Sequence, residues 1–283
     1  MTTITPTPAA AGTAQPRSAR TTTLGFGGVL RSEWIKLRSL RSTGWSYLLV
    51  IVLAAGMSLL LALTSLSGFG DEITAGMPAE AQTDLIVRTM TVGVGLTQLV
   101  VAVLGVLVMS GEYRTGMIRS TLTAVPRRLP TLAAKAIVLF LVTFLVAALS
   151  LVGAFAASSI VYAGEGISAS VADPDVLAAM LGATLYLALL AVFSLGVGTM
   201  VRSSAGGIAI VVALVLVVPT LVQVIPADWA QDAVPYLLSA AGTDLFAMDP
   251  DDALEWWQNL LVVLGWVGAS GAGAAVLLAR RDA

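Results

Sequence analysis

Long stretches without a single acidic or basic side chain alternate along this chain with short stretches rich in them. Six apolar runs stand out, at residues 42–70, 89–111, 136–164, 176–201, 203–227 and 256–279. About 20 apolar residues suffice for a helix to cross the hydrocarbon core of a bilayer. Each run therefore predicts a transmembrane helix, with spans at 44–66, 90–110, 134–158, 176–199, 205–225 and 258–279. A transmembrane β-barrel would alternate apolar and polar positions, and these runs do not. The pattern predicts an all-α integral membrane protein with six transmembrane helices.

Composition agrees. Hydrophobic residues make up 57% of the chain, charged residues 11%, and the mean hydropathy is +0.91. Soluble chains carry about 25% charged residues, so a soluble bundle of six such helices would lack a polar surface. The chain has no cysteine and no histidine. That excludes disulfides, zinc sites with Cys or His ligands, a haem axial histidine and histidine acid–base catalysis.

The net charge of −2 says little, but its distribution is informative. Arg17, Arg20, Arg31, Lys36, Arg38 and Arg41 precede the first span. Arg114, Arg119, Arg127, Arg128 and Lys135 lie between the second and third, Arg202 after the fourth, and Arg280 and Arg281 in the tail. With six crossings, 14 of the 15 basic residues fall on one side, leaving Arg88 alone on the other. The acidic residues concentrate opposite them. Basic loops stay in the cytoplasm, so both termini are expected inside, in the plasma membrane of a bacterium.

Residues 1–27, rich in Thr, Ala and Pro, read as a disordered cytoplasmic tail. Residues 28–283 form the six-helix domain. Within residues 28–42, Val29, Leu30, Trp34, Leu37 and Leu40 share one face at helical spacing, while Arg31, Lys36 and Arg38 lie mostly elsewhere. This predicts an amphipathic surface helix on the inner leaflet, with Glu33 and Ile35 out of pattern. The acidic stretch 226–257 holds a short apolar piece, 235–248, suited to a re-entrant or interfacial helix pair.

Chemistry-bearing motifs are few. Neither lysine, Lys36 or Lys135, sits in a Gly-Lys-Ser/Thr phosphate loop, and no Gly-x-Ser-x-Gly occurs. No catalytic role is expected, and no nucleic-acid partner. The spans are expected to hold no ionisable side chain, which counts against a proton- or ion-coupled pathway. Gln98, and beside it Thr97, are the polar candidates for a pathway lining. Gly265, Ala269 and Gly273 form a small-residue stripe for close helix approach. The loop after the second span, Gly111, Glu112, Tyr113, Arg114, Thr115, Gly116, Met117, Ile118, Arg119 and on to Leu122, mixes both charges with apolar residues. That mixture suits docking to a protein partner.

Three stretches in order carry a family resemblance: Glu33-Trp-Ile-Lys-Leu-Arg-Ser-Leu-Arg-Ser-Thr, Gly111-Glu-Tyr-Arg-Thr-Gly-Met-Ile-Arg-Ser-Thr-Leu with Pro126-Arg-Arg and Lys135, and Val234-Pro-Tyr-Leu-Leu-Ser-Ala-Ala-Gly. Over roughly residues 28–280 the chain resembles the membrane permease subunits of ABC-2 type ABC transporters, actinobacterial ones above all. The resemblance implies a permease, most often of an exporter, working with a second permease copy or a paralogous chain. A separate ABC ATPase dimer would hold ATP and Mg, and this chain no cofactor. It also implies a surface connecting helix at Leu30, Glu33, Trp34, Lys36, Leu37 and Arg38, and a coupling segment at Gly111–Leu122, with Glu112 and Arg119 as its polar docking residues. An ion-coupled secondary transporter and a non-transporting anchor, immunity factor or sensor remain the alternatives. The transported substrate is not readable from the sequence.

Overall fold

The computed structural model describes residues 25–68, 77–116, 128–248 and 254–280. Every regular element among the described residues is helical. In chain order these are α1 (Phe26–Ser39), α2 (Arg41–Gly68), α3 (Ala79–Thr91), α4 (Val94–Thr115), α5 (Arg128–Ala163), α6 (Pro174–Val201) and α7 (Ser204–Val212). After a π turn at Ala213–Val217 come α8 (Val218–Val224), α9 (Asp228–Ala233), a 3-10 turn at Val234–Tyr236, α10 (Leu238–Asp244) and α11 (Trp256–Arg280). Six stretches are long and apolar enough to cross a membrane: Arg41–Leu66, Ala79–Thr115, Leu129–Ala163, Pro174–Val201, Ser204–Val224 and Trp256–Arg280.

Helices overrun the apolar runs wherever the flanking polar sequence also favours helix. α3 and α4 together cover 37 residues, or about 55 Å at helical rise, against a hydrocarbon core of about 30 Å. The excess is α3, which carries Glu80, Gln82, Asp84 and Arg88 and buries Ile86, Val87 and Met90 on its other face. Gly93 lies between α3 and α4. A Cβ there would stand 2.7 Å from the Ala54 Cα, so only glycine lets the second span cross the first at this point.

α6 is the centre of the bundle. It is apolar on all sides, and two-thirds of its most apolar stretch is buried. Small residues bring its neighbours to backbone contact. A Cβ on Gly105 of α4 would stand 2.4 Å from the Ala191 carbonyl oxygen, and one on Gly196 would stand 2.7 Å from the Ser270 hydroxyl of α11. Between helices in lipid, association depends on such close approach. The small-residue stripe expected on the sixth span holds only at Gly273, where a Cβ would stand 2.5 Å from the Met200 sulfur of α6; Gly265 and Ala269 are exposed, and Asn259, Val263, Ser270, Ala274 and Leu278 make the packed face.

The apolar piece 235–248, expected to form a helix pair, holds one helix, α10, entered from the 3-10 turn, while the other short helix, α9, lies before it at Asp228–Ala233. Leu238, Ser239, Ala241 and Gly242 of α10 are buried. Gly242 seats directly on the Tyr186 ring, and Gly182 of α6 lies under the Leu245 carbonyl. Two indoles of α11 staple the segment, Trp256 Nε1 donating to Leu245 O at 3.2 Å and Trp266 Nε1 to Tyr236 O at 3.0 Å. The π turn in the fifth span was not anticipated. Pro219 lacks an amide hydrogen and its ring collides with the carbonyl four residues back, so widening Ala213–Val217 relieves that conflict.

Successive spans alternate in direction. Chain segments near residues 33, 112, 135 and 202 gather at one end, the basic end, and residues 65, 89 and 162 at the other. There the Tyr162 hydroxyl joins Ser65 and Thr89, each at 2.9 Å.

Candidate functional site: a buried ion cluster at the basic end

Among the described residues, four charges form a cluster at the basic end. Glu33 comes from α1, Glu112 from the last turn of α4, Lys135 from the start of α5, and Lys36 from α1 again. Lys135 Nζ lies 2.5 Å from Glu33 Oε2 and 2.7 Å from Glu112 Oε1. Lys36 Nζ lies 2.7 Å from Glu33 Oε1 and 3.4 Å from Glu112 Oε1. Each ammonium thus bridges both carboxylates. Glu33, Glu112 and Lys135 are all buried, and Lys36 is half-buried.

The local sequence dictates this arrangement. In α1, Val29, Glu33 and Leu37 recur every four residues and form the buried stripe. Glu33, out of pattern as an amphipathic surface residue, is the polar centre of that stripe. Trp34, Ile35 and Leu40 remain exposed, and Leu30 is half-buried. So α1 presents two apolar faces, one against the bundle and one outward. The helix starts two residues before the expected 28 and ends at Ser39, and Arg41–Thr43 already belong to the first span.

Glu112 and Lys135 sit where their apolar runs stop, at residues 111 and 136. Both therefore stand at the margin of the apolar part of their helices. Lys135 nevertheless falls inside the expected span 134–158, so the expectation of spans free of ionisable groups fails at that position. Water is scarce there, and an unpaired charge is expensive. A balanced two-plus-two cluster answers that cost. Lysine suits the role because its compact ammonium offers three donors that can point to separate carboxylates, whereas arginine presents a rigid planar fork. Burial alone would lower the Lys36 pKa, but the hydrogen bond to Glu33 and the charge of Glu112 outweigh it and hold the pKa above the usual 10.5.

Neighbouring residues on the last turn of α4 bind a different element. The Arg202 guanidinium lies over the Tyr113 ring, 5.1 Å from its centroid, and Ser110 Oγ meets Ser204 Oγ at 2.9 Å. Arg202 adopts the left-handed conformation, φ 57°, to end α6 there. One helical turn therefore grips α1, the third span, and the corner between the fourth and fifth. Gly116, at φ +70°, then closes α4 through its amide to the Tyr113 carbonyl. Gly111 through Thr115 are thus the end of the second span and not a separate helix. Arg114 and Thr115 are exposed there, while Glu112 turns inward. Met117, Ile118 and Arg119 lie outside the described residues.

Gln98 and Thr97 part company. Thr97 is buried and donates to the Val94 carbonyl of its own helix at 3.3 Å. Gln98 accepts from the buried Tyr186 hydroxyl at 2.7 Å and lines two cavities of about 470 and 450 Å³ toward the acidic end. Thr243 of α10 lines both as well. Arg88, the lone basic residue of that end among the described residues, pairs with Asp84 at 2.8 Å.

Sequence reasoning saw Glu33, Lys36 and Glu112 as members of two separate surface features and Lys135 as a loop terminus. A usable signal was present. Only two of the 15 basic residues are lysines, and both are in the cluster. No protein family model matches the chain, and no curated protein matches its sequence.

Proposed function

We propose that this chain is the membrane permease subunit of an ATP-driven ABC transporter of the ABC-2 type, working as an exporter in the bacterial plasma membrane with both termini in the cytoplasm. The observation that carries the reading is the junction at the basic end. The loop resembling the family's coupling segment emerges from a helical turn that is ion-paired to the element resembling its connecting helix. A push on that loop would reach α1 and the second and third spans together. The charge asymmetry supports a cytoplasmic position for this end. In this reading Glu112 anchors the coupling turn from within, and the exposed Arg114 and Thr115, with the loop that follows, meet the ATPase. The ATPase dimer binds ATP and Mg, and a second permease, identical or paralogous, completes the pathway. The cavities around Gln98 are the candidate substrate route on the far side.

An ion-coupled secondary transporter fits less well. The buried charges are balanced and sit at the edge of the apolar layer, not in its middle where coupling ions are bound. A non-transporting anchor would have no use for paired cavities near Gln98.

The test is co-purification. Tagged permease, expressed with a P-loop ATPase encoded beside it, should retain that ATPase through detergent extraction and size exclusion. Replacing the exposed Arg114 and Thr115 together with Glu should release it, while the tagged chain stays folded. Failure of the wild-type chain to retain any ATPase would overturn the reading.

A further inference from the structure

Beside the ion cluster, a cavity of about 370 Å³ opens between α1, the start of α2, and the ends of α4 and α5 that face it. Its lining has two chemically distinct parts. Leu37, Leu40, Leu107, Val108, Val138 and Leu139 make an apolar wall, which continues into the apolar runs of the second and third spans. Lys36, Ser39, Ser42, Arg114 and Thr115 make a polar mouth, backed by Glu33, Glu112 and Lys135 of the ion cluster, which also line the cavity. Leu40, Ser39, Ser42 and Arg114 are exposed, so the cavity is open on that side.

We infer that this cavity binds one anionic glycerophospholipid, with its phosphate at Arg114 and Lys36 and its acyl chains against Leu107, Val108 and Val138. The charges on the lining favour an anion. Glu33 and Glu112 are both held by lysines, so neither presents an unneutralised carboxylate to a phosphate. Arg114 adds a further positive charge at the mouth and makes no ion pair among the described residues. The depth also fits. On the second and third spans the boundary between polar and apolar lining coincides with the residues where the apolar runs end and begin, at 111 and 136, while Leu37 and Leu40 extend the apolar wall from before the first run. A lipid changes from headgroup to acyl chain at the same level. Basic pockets between transmembrane helices on the cytoplasmic side are suited to anionic headgroups. A lipid lodged there would touch α1, α2, α4 and α5, and would stiffen the same junction that the ion cluster closes.

The inference rests on the proposed placement of the basic end at the inner leaflet, and not on any ATPase. Its test therefore uses the full-length permease alone, without nucleotide. Delipidated protein in detergent is titrated with phosphatidylglycerol or with phosphatidylcholine of the same chains, and bound lipid is counted by native mass spectrometry. A single phosphatidylglycerol should be retained in preference to phosphatidylcholine. Arg114→Gln should reduce that preference by about fivefold, the effect of one basic residue near an anionic headgroup. Arg88→Gln, at the other end, should leave it unchanged. Leu107→Trp, which fills the apolar wall, should abolish the single tight adduct of either lipid. Equal retention of the two lipids by wild-type protein, or an unchanged preference in Arg114→Gln, would overturn the proposal. Displacement of the lipid by millimolar sn-glycerol 3-phosphate would overturn it too, because the site would then be a pocket for a free phosphate. Loss of ATPase association in other experiments would leave this result standing.

Discussion

Lys135 is the residue on which the basic end turns. It is buried, and its ammonium is shared by two carboxylates from different elements. Breaking a buried ion pair from one side typically costs about 3–5 kcal/mol, because a charge is left without compensation, whereas removing both partners costs much less. Lys135→Met should therefore lower the detergent melting temperature strongly. The double variant Lys135→Met/Glu112→Gln, which restores charge balance around Glu33 and Lys36, should recover most of that loss. Thermal unfolding followed by tryptophan fluorescence reads both. A double variant less stable than Lys135→Met would show that the four groups do not act as one balanced set. Lys135→Arg should also destabilise, since the planar guanidinium cannot occupy the ammonium's position between Glu33 and Glu112.

At the scale of elements, the spans were legible in the sequence because uninterrupted apolar runs have one physical meaning in a membrane. Their ends were less so. Hydropathy locates the bilayer, while backbone hydrogen bonding lets α3 and α5 continue beyond it. α1 was legible as a helix but not in its facing. Val29, Leu37 and Trp34 look alike to a periodicity argument, and only packing tells that the first two are buried while Trp34 is exposed. The cluster was hidden for a related reason. Its partners are 76 and 102 positions apart along the chain, and sequence spacing carries no information about such distances. The close seats of α10 were equally silent, because Gly182 and Gly242 are two of 27 glycines. Their role can be tested directly. Gly182→Val would drive a side chain into the Leu245 carbonyl, whose oxygen lies 2.0 Å from the ideal Cβ position. Overpacking of this kind costs about 1–3 kcal/mol. It should also loosen the α9–α10 segment, seen as earlier proteolysis between the fifth and sixth spans. Gly265→Val, on the open face of α11, should change neither stability nor cleavage.

For the whole molecule, the basic and acidic ends define an axis, and the account assigns the basic end to the cytoplasm. The absence of native cysteine makes this simple to measure. Single cysteines at Ser39 and at Glu165, both exposed, sit at opposite ends. In intact cells an impermeant maleimide should label Glu165→Cys and spare Ser39→Cys until the membrane is opened. The reverse pattern would invert the topology and remove the coupling role from the ion cluster.

The most direct measurement is ATP hydrolysis by this chain and the ATPase proposed as its partner, reconstituted together in proteoliposomes. The wild-type complex is compared with one carrying Lys135→Met/Glu112→Gln. The account predicts that the variant assembles with the ATPase but loses permease-dependent hydrolysis by at least about fivefold, the lower end of ordinary coupling energies. Hydrolysis equal to wild type in a complex that has lost the Lys135 and Glu112 charges would contradict it.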